Sequence, residues 1–337
     1  MEESIEEEIS RVKSEYFNFS DKPKKKYKKK VPSIVKTIRN FTPAPIDWGY
    51  QKVVSFSQFQ KYMTCPHQWK LMYKDGHKVF EPNMHAVFGT SMHETLQHYL
   101  KIMYDQSIAA ADRINIVEYF ENQLRQQYLK TFKQHGKQHF SDPNEIDEFF
   151  SDGVKILEYF KKHKKKYFSK KGCHLVGVEV PLTLIPYKPY KNVIFNGYLD
   201  LVLFDEDLNK LIIIDIKTSI NGWGDNQKKD PTKTMQLVLY KKYLSELFGV
   251  ETDMINVEYL ILKRKVWDHS EYHIPRIQQF KPASGRNKLN QTEKLFTKFI
   301  KEGFAENHEY EITPSPSNCR FCPFSDNKTL CPKGIKQ

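Results

Sequence analysis

The feature that most constrains the fold is a pair of apolar segments, residues 193–204 and 210–218, with a polar stretch between them. Val, Ile, Leu and Phe dominate both segments, which is typical of β-strands. The intervening Asp205-Glu206-Asp207-Leu208-Asn209 has the composition of a turn. The pattern therefore predicts a β-hairpin.

Three charged residues interrupt the apolar character of this hairpin. Asp200 lies in the first strand, and Asp215 and Lys217 lie in the second, where a side-chain period of two places both on one face. Burial of these groups is costly unless each has a partner, and a divalent cation is a suitable partner for two carboxylates. The hairpin alone supports two interpretations, a Mg²⁺ or Mn²⁺ site and an Asp–Lys ion pair at a strand end.

Length and charge narrow the class of protein. The chain has 337 residues, enough for a substantial core, and a formal net charge of +12, which favours a polyanionic partner such as nucleic acid. No apolar run is long enough to span a membrane, and the acidic start MEESIEEEIS is unlike a secretory signal. We therefore expect no membrane association and an intracellular protein, in the cytoplasm of a prokaryotic or virus-infected cell.

The composition predicts a charged, flexible tail over residues 1–50, followed by a single domain over residues 51–337. The lysine run at residues 22–30 would add phosphate contacts, serve as a nuclear address, or remain a solvated charge run. Two long helical patterns, residues 112–135 and 143–168, indicate a helical insertion at about residues 105–170.

Polar residues occur on the elements predicted around the hairpin. A helix starting near Gly89 and Thr90 carries His93 beside its apolar stripe, where a core histidine is the ordinary alternative to a ligand. A strand at residues 174–185 carries Glu179, which a solvent-facing position would also explain. After the hairpin come a loop with Trp223, a helix over residues 232–248 with Gln236 and Tyr240 on one face, and a strand over residues 254–264.

Four motifs in this order resemble the PD-(D/E)xK nuclease superfamily, specifically its RecB-like exonuclease branch. They are Gly89-Thr90-Ser91-Met92-His93-Glu94, Gly197-Tyr198-Leu199-Asp200, Asp215-Ile216-Lys217-Thr218 and Gln236-Leu237-Val238-Leu239-Tyr240. The resemblance implies an α/β fold, with a restriction-endonuclease-like core whose mixed central sheet is flanked by helices. Each motif is weak alone, but all four stand on the expected elements.

The resemblance also implies roles for these residues in metal-dependent phosphodiester hydrolysis. Asp200 and Asp215 would hold Mg²⁺ or Mn²⁺, and the remaining metal ligands would be His93, the Ile216 carbonyl and, as an auxiliary acid, Glu179. Lys217 would orient the attacking water and neutralise developing charge. Gln236 and Tyr240 would contact DNA or support Lys217, and Trp223 is a candidate for stacking on unpaired bases.

Five cysteines give a second signal. In a reducing compartment their clustering favours metal or cluster ligation over disulfides. Cys65 precedes the nuclease motifs and Cys319, Cys322 and Cys331 follow them, within a C-terminal segment at residues 310–337. This arrangement is similar to iron–sulfur members of the branch, including AddB-type subunits and CRISPR adaptation nucleases, and it implies a [4Fe–4S] cluster. Eight residues separate Cys322 from Cys331, more than is usual in that group, and Cys₄ zinc is the alternative. Cys173 falls outside this set.

The resemblance therefore implies an exonuclease that digests DNA, single-stranded or with free ends, in recombination, repair or processing. A helicase or recombination factor is a candidate partner. A structure-specific endonuclease is one alternative. A non-catalytic module that binds DNA ends is the other.

Overall fold

The computed structural model describes residues 32–77, 79–168, 171–267 and 274–335. They belong to a folded unit that begins at Ser33. Its first helix, α1 (Ser33–Arg39), buries Val35 and Ile38 and is tied to the sheet by a hydrogen bond from the Arg39 guanidinium to the Leu175 carbonyl. This corrects the expected tail of residues 1–50, because its last part is folded. Residues 1–31, with the lysine run, lie outside the described residues.

The described strands form one mixed six-stranded sheet, and the predicted hairpin is its centre. Strands β3 and β4 pair antiparallel, while β4 and β5 pair parallel. The strands are β1 (Lys52–Val54), β2 (Cys173–Leu184), β3 (Val193–Asp205), β4 (Lys210–Ser219), β5 (Ile255–Lys263) and β6 (Ile277–Phe280). The short edge strand β6 was not expected from the sequence.

Strand β3 has an unusual arrangement of neighbours. Along one edge it pairs with β2 from Phe195 to Asp205. Because a strand has only two edges, β1 and β4 share the other: β1 pairs with residues 193–195, and β4 pairs with residues 201–205. No strand pairing is formed on that edge by residues 196–200, which lie between the two partners.

The predicted β-α-β order after the hairpin is confirmed. Helices α8 (Asp225–Lys229) and α9 (Pro231–Phe248) connect β4 to β5, with a 3₁₀ turn at Thr252–Met254 before β5 begins. Gly249 caps the C-terminal end of helix α9, and its φ of 63° lies in the left-handed region that glycine adopts at low cost.

Helices cover both faces of the sheet, so its apolar strands are buried on both sides. Three long helices, α4 (Met84–Asp105), α6 (Ile116–Gln134) and α7 (Pro143–Tyr167), share a core with alternate residues of the strands, among them Leu201 and Ile214. On the opposite face, Phe195 packs against Tyr243 of α9 and Phe296 of α10 (Arg286–Gly303). The remaining helices are α2 (Phe56–Thr64), α3 (Pro66–Trp69, continued by a π-helical turn over Lys70–Lys74), α5 (Ile108–Asp112) and α11 (Pro316–Cys319). Among the described helices, none is both long and apolar enough to cross a bilayer.

Helix α4 is longer than predicted. It begins at Met84, capped by the Asn83 side chain, which accepts a hydrogen bond from the Ala86 N–H. Gly89 and Thr90 are therefore interior residues and do not mark the start of the helix. The apolar stripe of the GTSMHE motif gave no indication of the preceding turn, since that turn is set by the cap.

Helices α5, α6 and α7 lie at about residues 105–170, where the sequence predicted a helical insertion. At the point where α7 crosses α6, a Cβ on Gly153 would lie 2.3 Å from the Phe120 ring, so this position requires glycine. The insertion is fixed to the sheet by Arg264, which follows β5. Its buried guanidinium contacts Asp152 of α7 at 3.0 Å and lies 3.4 Å from the centre of the Phe149 ring.

Candidate active site

The two hairpin aspartates lie where the β3–β4 ladder ends. The last pair joins Leu201 to Ile214, so the next residues in register are Asp200 and Asp215. Beyond this point β4 continues only as the parallel neighbour of β5, with Asp215 beside Tyr259. The strands therefore hold two carboxylates side by side at the point where they stop pairing.

Where the ladder ends, the Asp200 carboxylate accepts a hydrogen bond from a backbone N–H of β4. Its Oδ2 accepts from the Ile216 N–H at 2.7 Å. The same oxygen lies 3.4 Å from Nδ1 of His93, which α4 brings to the site from one face of the sheet. Helix α4 passes close to β4 here, since a Cβ on Gly89 would lie 3.4 Å from Oγ1 of Thr218. The structure thus brings together His93, Asp200 and Ile216, as the sequence predicted.

Asp215 and Lys217 lie on one face of β4, as the period of two predicts. The carboxylate of Asp215 is only 3% exposed, and its Oδ2 lies 2.8 Å from Nζ of Lys217. The two groups form an ion pair at this buried oxygen. Burial of a carboxylate is costly, and a divalent cation beside it would lower that cost further.

The charges of the site depend on one another. Burial and the neighbouring Asp215 carboxylate raise the pKa of Asp200 well above its usual value. Burial alone would lower the pKa of Lys217, but Asp215 and Asp200 outweigh it and raise that pKa. Burial lowers the pKa of His93 to about 4, so at neutral pH its imidazole is uncharged and has a lone pair available.

Glu179 lies opposite Asp200, because Val178 and Val180 pair with the residues on either side of that aspartate. Its backbone has a φ of 51°, a left-handed conformation that is uncommon for glutamate and costs about 1–3 kcal/mol. The side chain is exposed, and its Oε1 accepts a hydrogen bond of 2.6 Å from Nε2 of Gln97.

Gln97 was missed by the sequence reasoning. It is buried on α4, four residues after His93, and Nε2 also donates to the Asp200 carbonyl at 3.1 Å. The spacing of four from His93 places both side chains on one face of the helix. That spacing was the available signal for Gln97. The apolar stripe alone gave no indication of a buried polar residue.

Helix α9 supplies two predicted residues from the other face of the sheet. Tyr240 is buried, and its hydroxyl accepts a hydrogen bond from the Gln236 amide at 3.2 Å. Burial raises the pKa of Tyr240 far above its usual value, and the charges of Asp215, Asp200 and Glu179 raise it further. The phenol therefore stays protonated and can donate a hydrogen bond in the site.

The expectation for Trp223 needs correction. Its ring is 8% exposed and packs against Tyr259 at 4.8 Å between ring centroids, while its backbone exchanges two hydrogen bonds with the Gln278 amide. An indole held in this way has little surface on which to stack a base. The Gly- and Asn-rich sequence around it was misleading, since the loop folds back onto β5 and β6.

The number of side-chain ligands at the hairpin determines which divalent cation it could bind. Within the described ranges, no three His, Cys, Asp or Glu side chains converge in a geometry that could hold one metal ion. Mg²⁺ does not need three, since it commonly binds through one or two carboxylates and keeps several waters. The adjacent, largely buried carboxylates of Asp200 and Asp215 fit this type of binding.

The four predicted cysteine ligands line one cavity, although they come from distant parts of the chain. Cys65 is brought there by contacts of its neighbours: Asn318 donates to the Thr64 carbonyl at 3.0 Å, and the His67 ring is 2.7 Å from the Leu330 carbonyl. Cys319 and Cys331 are buried, and none of the four forms a disulfide. Burial raises the pKa of the Cys322 and Cys331 thiols, and the neighbouring cysteines add to this effect.

Comparison with known proteins identifies the family. A sequence model of the PD-(D/E)XK nuclease superfamily matches residues 53–332, most of the chain. The chain belongs to this superfamily. The matched range spans all four motifs and all four clustered cysteines. A crystal structure of a proposed exonuclease from Eubacterium rectale is similar, with 12% sequence identity, 88% of this chain and 96% of that chain covered, and a TM-score of 0.47. No curated protein sequence matches the chain significantly.

Proposed function

We propose that this PD-(D/E)XK protein is a Mg²⁺- or Mn²⁺-dependent exonuclease that hydrolyses phosphodiester bonds of single-stranded DNA from an end. The observation that carries the proposal is the end of the β3–β4 ladder, where Asp200 and Asp215 meet beside Lys217. Two buried carboxylates and a lysine at one strand end have a high electrostatic cost. A cation would bind the two carboxylates, and a phosphate would pair with the lysine.

Asp200 and Asp215 would hold the cation, with His93, the Ile216 carbonyl and the auxiliary acid Glu179 as further ligands. When bound, a divalent cation supplies a nucleophilic water near neutral pH and stabilises the charge that develops on the phosphate. The uncharged imidazole of His93 suits this role, since it can offer its lone pair beside Asp200.

Lys217 would orient the attacking water and neutralise charge on the phosphate. Its side chain is 34% exposed and its ammonium is held beside Asp215, so Lys217 can contact a ligand from a fixed position. Tyr240 and Gln236 would contact the DNA backbone or support Lys217, because the Tyr240 hydroxyl lies near the same carboxylates and accepts a hydrogen bond from the Gln236 amide.

The preference for DNA with free ends follows from the likeness to the RecB-like branch, and the net charge of +12 supports a nucleic-acid partner. A helicase or recombination factor would supply such ends. The site geometry itself is equally suited to an endonuclease, and the substrate decides between them.

A cleavage assay tests the catalytic proposal. Labelled single-stranded DNA with Mg²⁺ or Mn²⁺ is expected to be degraded by the wild type and not by Asp215→Ala or Lys217→Ala. If the wild type shows no metal-dependent cleavage but still binds DNA ends, the protein is a binding module and the proposal fails. Equal cleavage by the wild type and both variants would also overturn it.

Circular and end-labelled linear DNA of the same sequence separate the two nuclease classes. An exonuclease is expected to leave the circle intact and to shorten the linear strand progressively from one end. Cleavage of the circle would establish an endonuclease.

For the cysteine cavity we propose a [4Fe–4S] cluster held by Cys65, Cys319, Cys322 and Cys331, with Zn²⁺ as the alternative occupant. The arrangement of four cysteines around one cavity supports a thiolate-bound cofactor. An anaerobic preparation is expected to be brown, to bleach with dithionite and to contain about four iron atoms per chain. Stoichiometric zinc without iron would overturn the assignment.

A further inference from the structure

The side chain of Gln97 is a polar group inside the protein that the proposed chemistry does not use. It is 6% exposed, yet it lies within hydrogen-bond distance of two groups of the site. Its amide nitrogen has two hydrogens. One is directed to the Glu179 carboxylate at 2.6 Å and the other to the Asp200 carbonyl at 3.1 Å, so the donor capacity of this nitrogen is fully used.

The two acceptors lie on different strands and face each other. Glu179 on β2 is opposite Asp200 on β3, and its left-handed backbone, with a φ of 51°, departs from the regular strand at this residue. A strand residue in this conformation needs support from its surroundings. Gln97 is the described residue that contacts both the side chain of Glu179 and the backbone of Asp200.

We propose that Gln97 is a positioning residue that fixes the Glu179 carboxylate beside Asp200, and that through this contact it sets the affinity of the site for its divalent cation. The inference rests on the proposed function. Gln97 would act through Glu179, as residues that orient metal ligands do in other proteins, where their removal typically weakens metal affinity about 10- to 100-fold.

The experiment measures Mn²⁺ binding by electron paramagnetic resonance, with no DNA present, in the wild type, Gln97→Leu, Glu179→Ala and the double variant. We expect each single variant to weaken binding by about tenfold or more. We expect the double variant to bind no more weakly than Glu179→Ala, since Gln97 acts only through Glu179. Additive losses in the double variant would overturn the proposal.

The chain offers a matched control on the same helix. Gln127 of α6 donates to Glu94 of α4 at 3.1 Å, also a glutamine–glutamate contact, but on the outer side of α4. Gln127→Leu is expected to leave Mn²⁺ affinity unchanged. Thermal melting of all variants shows whether they are folded. Weaker binding by Gln127→Leu, equal to that of Gln97→Leu, would mean that α4 packing, and not the Glu179 contact, sets the affinity.

Failure of the inference is distinguishable from failure of the proposed function. If the wild type binds no Mn²⁺ and cuts no DNA, the proposed function is wrong. If the wild type binds Mn²⁺ and cuts DNA while Gln97→Leu has wild-type affinity, only the role of Gln97 is wrong. In a steady-state assay, Gln97→Leu should recover most of the wild-type cleavage rate at saturating Mn²⁺. A variant that stays slow there would place Gln97 in another role.

Discussion

The acid site and the cysteine cavity are built in opposite ways. The acids lie on two adjacent strands, 15 residues apart in sequence at Asp200 and Asp215, and the ladder that places them continues on one side of the site. The cysteines come from chain segments roughly 250 residues apart, between Cys65 and Cys319, and irregular backbone surrounds most of them. A regular sheet therefore preorganises the acid site, whereas the cysteine cavity depends on loop contacts and, under our proposal, on a bound cofactor. We expect the two sites to respond differently to loss of a ligand.

The largest effect is expected at the cysteine cavity. Cys322→Ser should remove the cofactor and with it a cross-link across a loop of roughly 250 residues, which costs about 5 kcal/mol of unfolding free energy on the loop-entropy argument. The melting temperature should fall by about 10 °C, measured by circular dichroism. The control is Cys173→Ser, on β2 and outside the cavity. An unchanged melting curve for Cys322→Ser would show that the loop contacts suffice without the cofactor.

At the acid site we expect the reverse. Asp215→Asn should reduce cleavage by about 10³-fold, equivalent to about 4 kcal/mol of transition-state stabilisation. Without metal its melting temperature should be nearly unchanged, because relief of the repulsion on Asp200 offsets loss of the ion pair with Lys217. Asp207→Asn, in the exposed turn of the same hairpin, is the control for both measurements. A large drop in the melting temperature of Asp215→Asn would mean that its ion pair with Lys217 stabilises the fold.

Binding of the divalent cation should produce a smaller change. Mn²⁺ at about 100 times its dissociation constant should add about 2.7 kcal/mol to the unfolding free energy, if it binds only the folded state. Urea unfolding with and without Mn²⁺ measures this difference. The increment should disappear in Asp215→Asn and persist in Cys322→Ser. If Cys322→Ser also lost it, the two sites would be coupled rather than independent.

The smallest effect concerns the loop contacts that bring the cysteines together. Asn318 donates to the carbonyls of Thr64 and Thr313, and Asn318→Ala should cost about 1–2 kcal/mol through loss of these bonds. Asn290→Ala, at an exposed position on α10, should cost almost nothing. In the cofactor-loaded protein the melting shift of Asn318→Ala should shrink, because the cofactor then holds the ends. An equal shift in loaded and empty protein would contradict this view.

The same contrast explains what the sequence could predict. Asp200, Asp215 and Lys217 were identifiable because each interrupts an apolar strand, and the period of two then fixed their relation. The cysteines were identifiable only as a spacing, since nothing local indicates that Thr64 will meet Asn318. Gln97 was missed because its partners, Glu179 and Asp200, lie on strands far along the chain.

Two other differences from the sequence predictions concern helix α1 and Trp223. Helix α1 was not expected because its two buried residues, Val35 and Ile38, give too short a pattern to predict a helix. Trp223 was expected to face a substrate because Gly and Asn surround it, whereas tertiary packing against Tyr259 determines its position. In both cases the structure is determined by contacts with residues distant in the sequence.

The short β3–β4 ladder has a consequence for folding fidelity. Five residue pairs, from Leu201–Ile214 to Asp205–Lys210, set the alignment of the two acids. A slip of one residue would turn Asp200 to the opposite side of the sheet, while the nine pairs between β4 and β5 could stay in place. Such a molecule would retain nearly all of its secondary structure and yet be inactive. Catalytic competence is therefore a more sensitive reporter of correct strand alignment than any spectroscopic measure of overall folding.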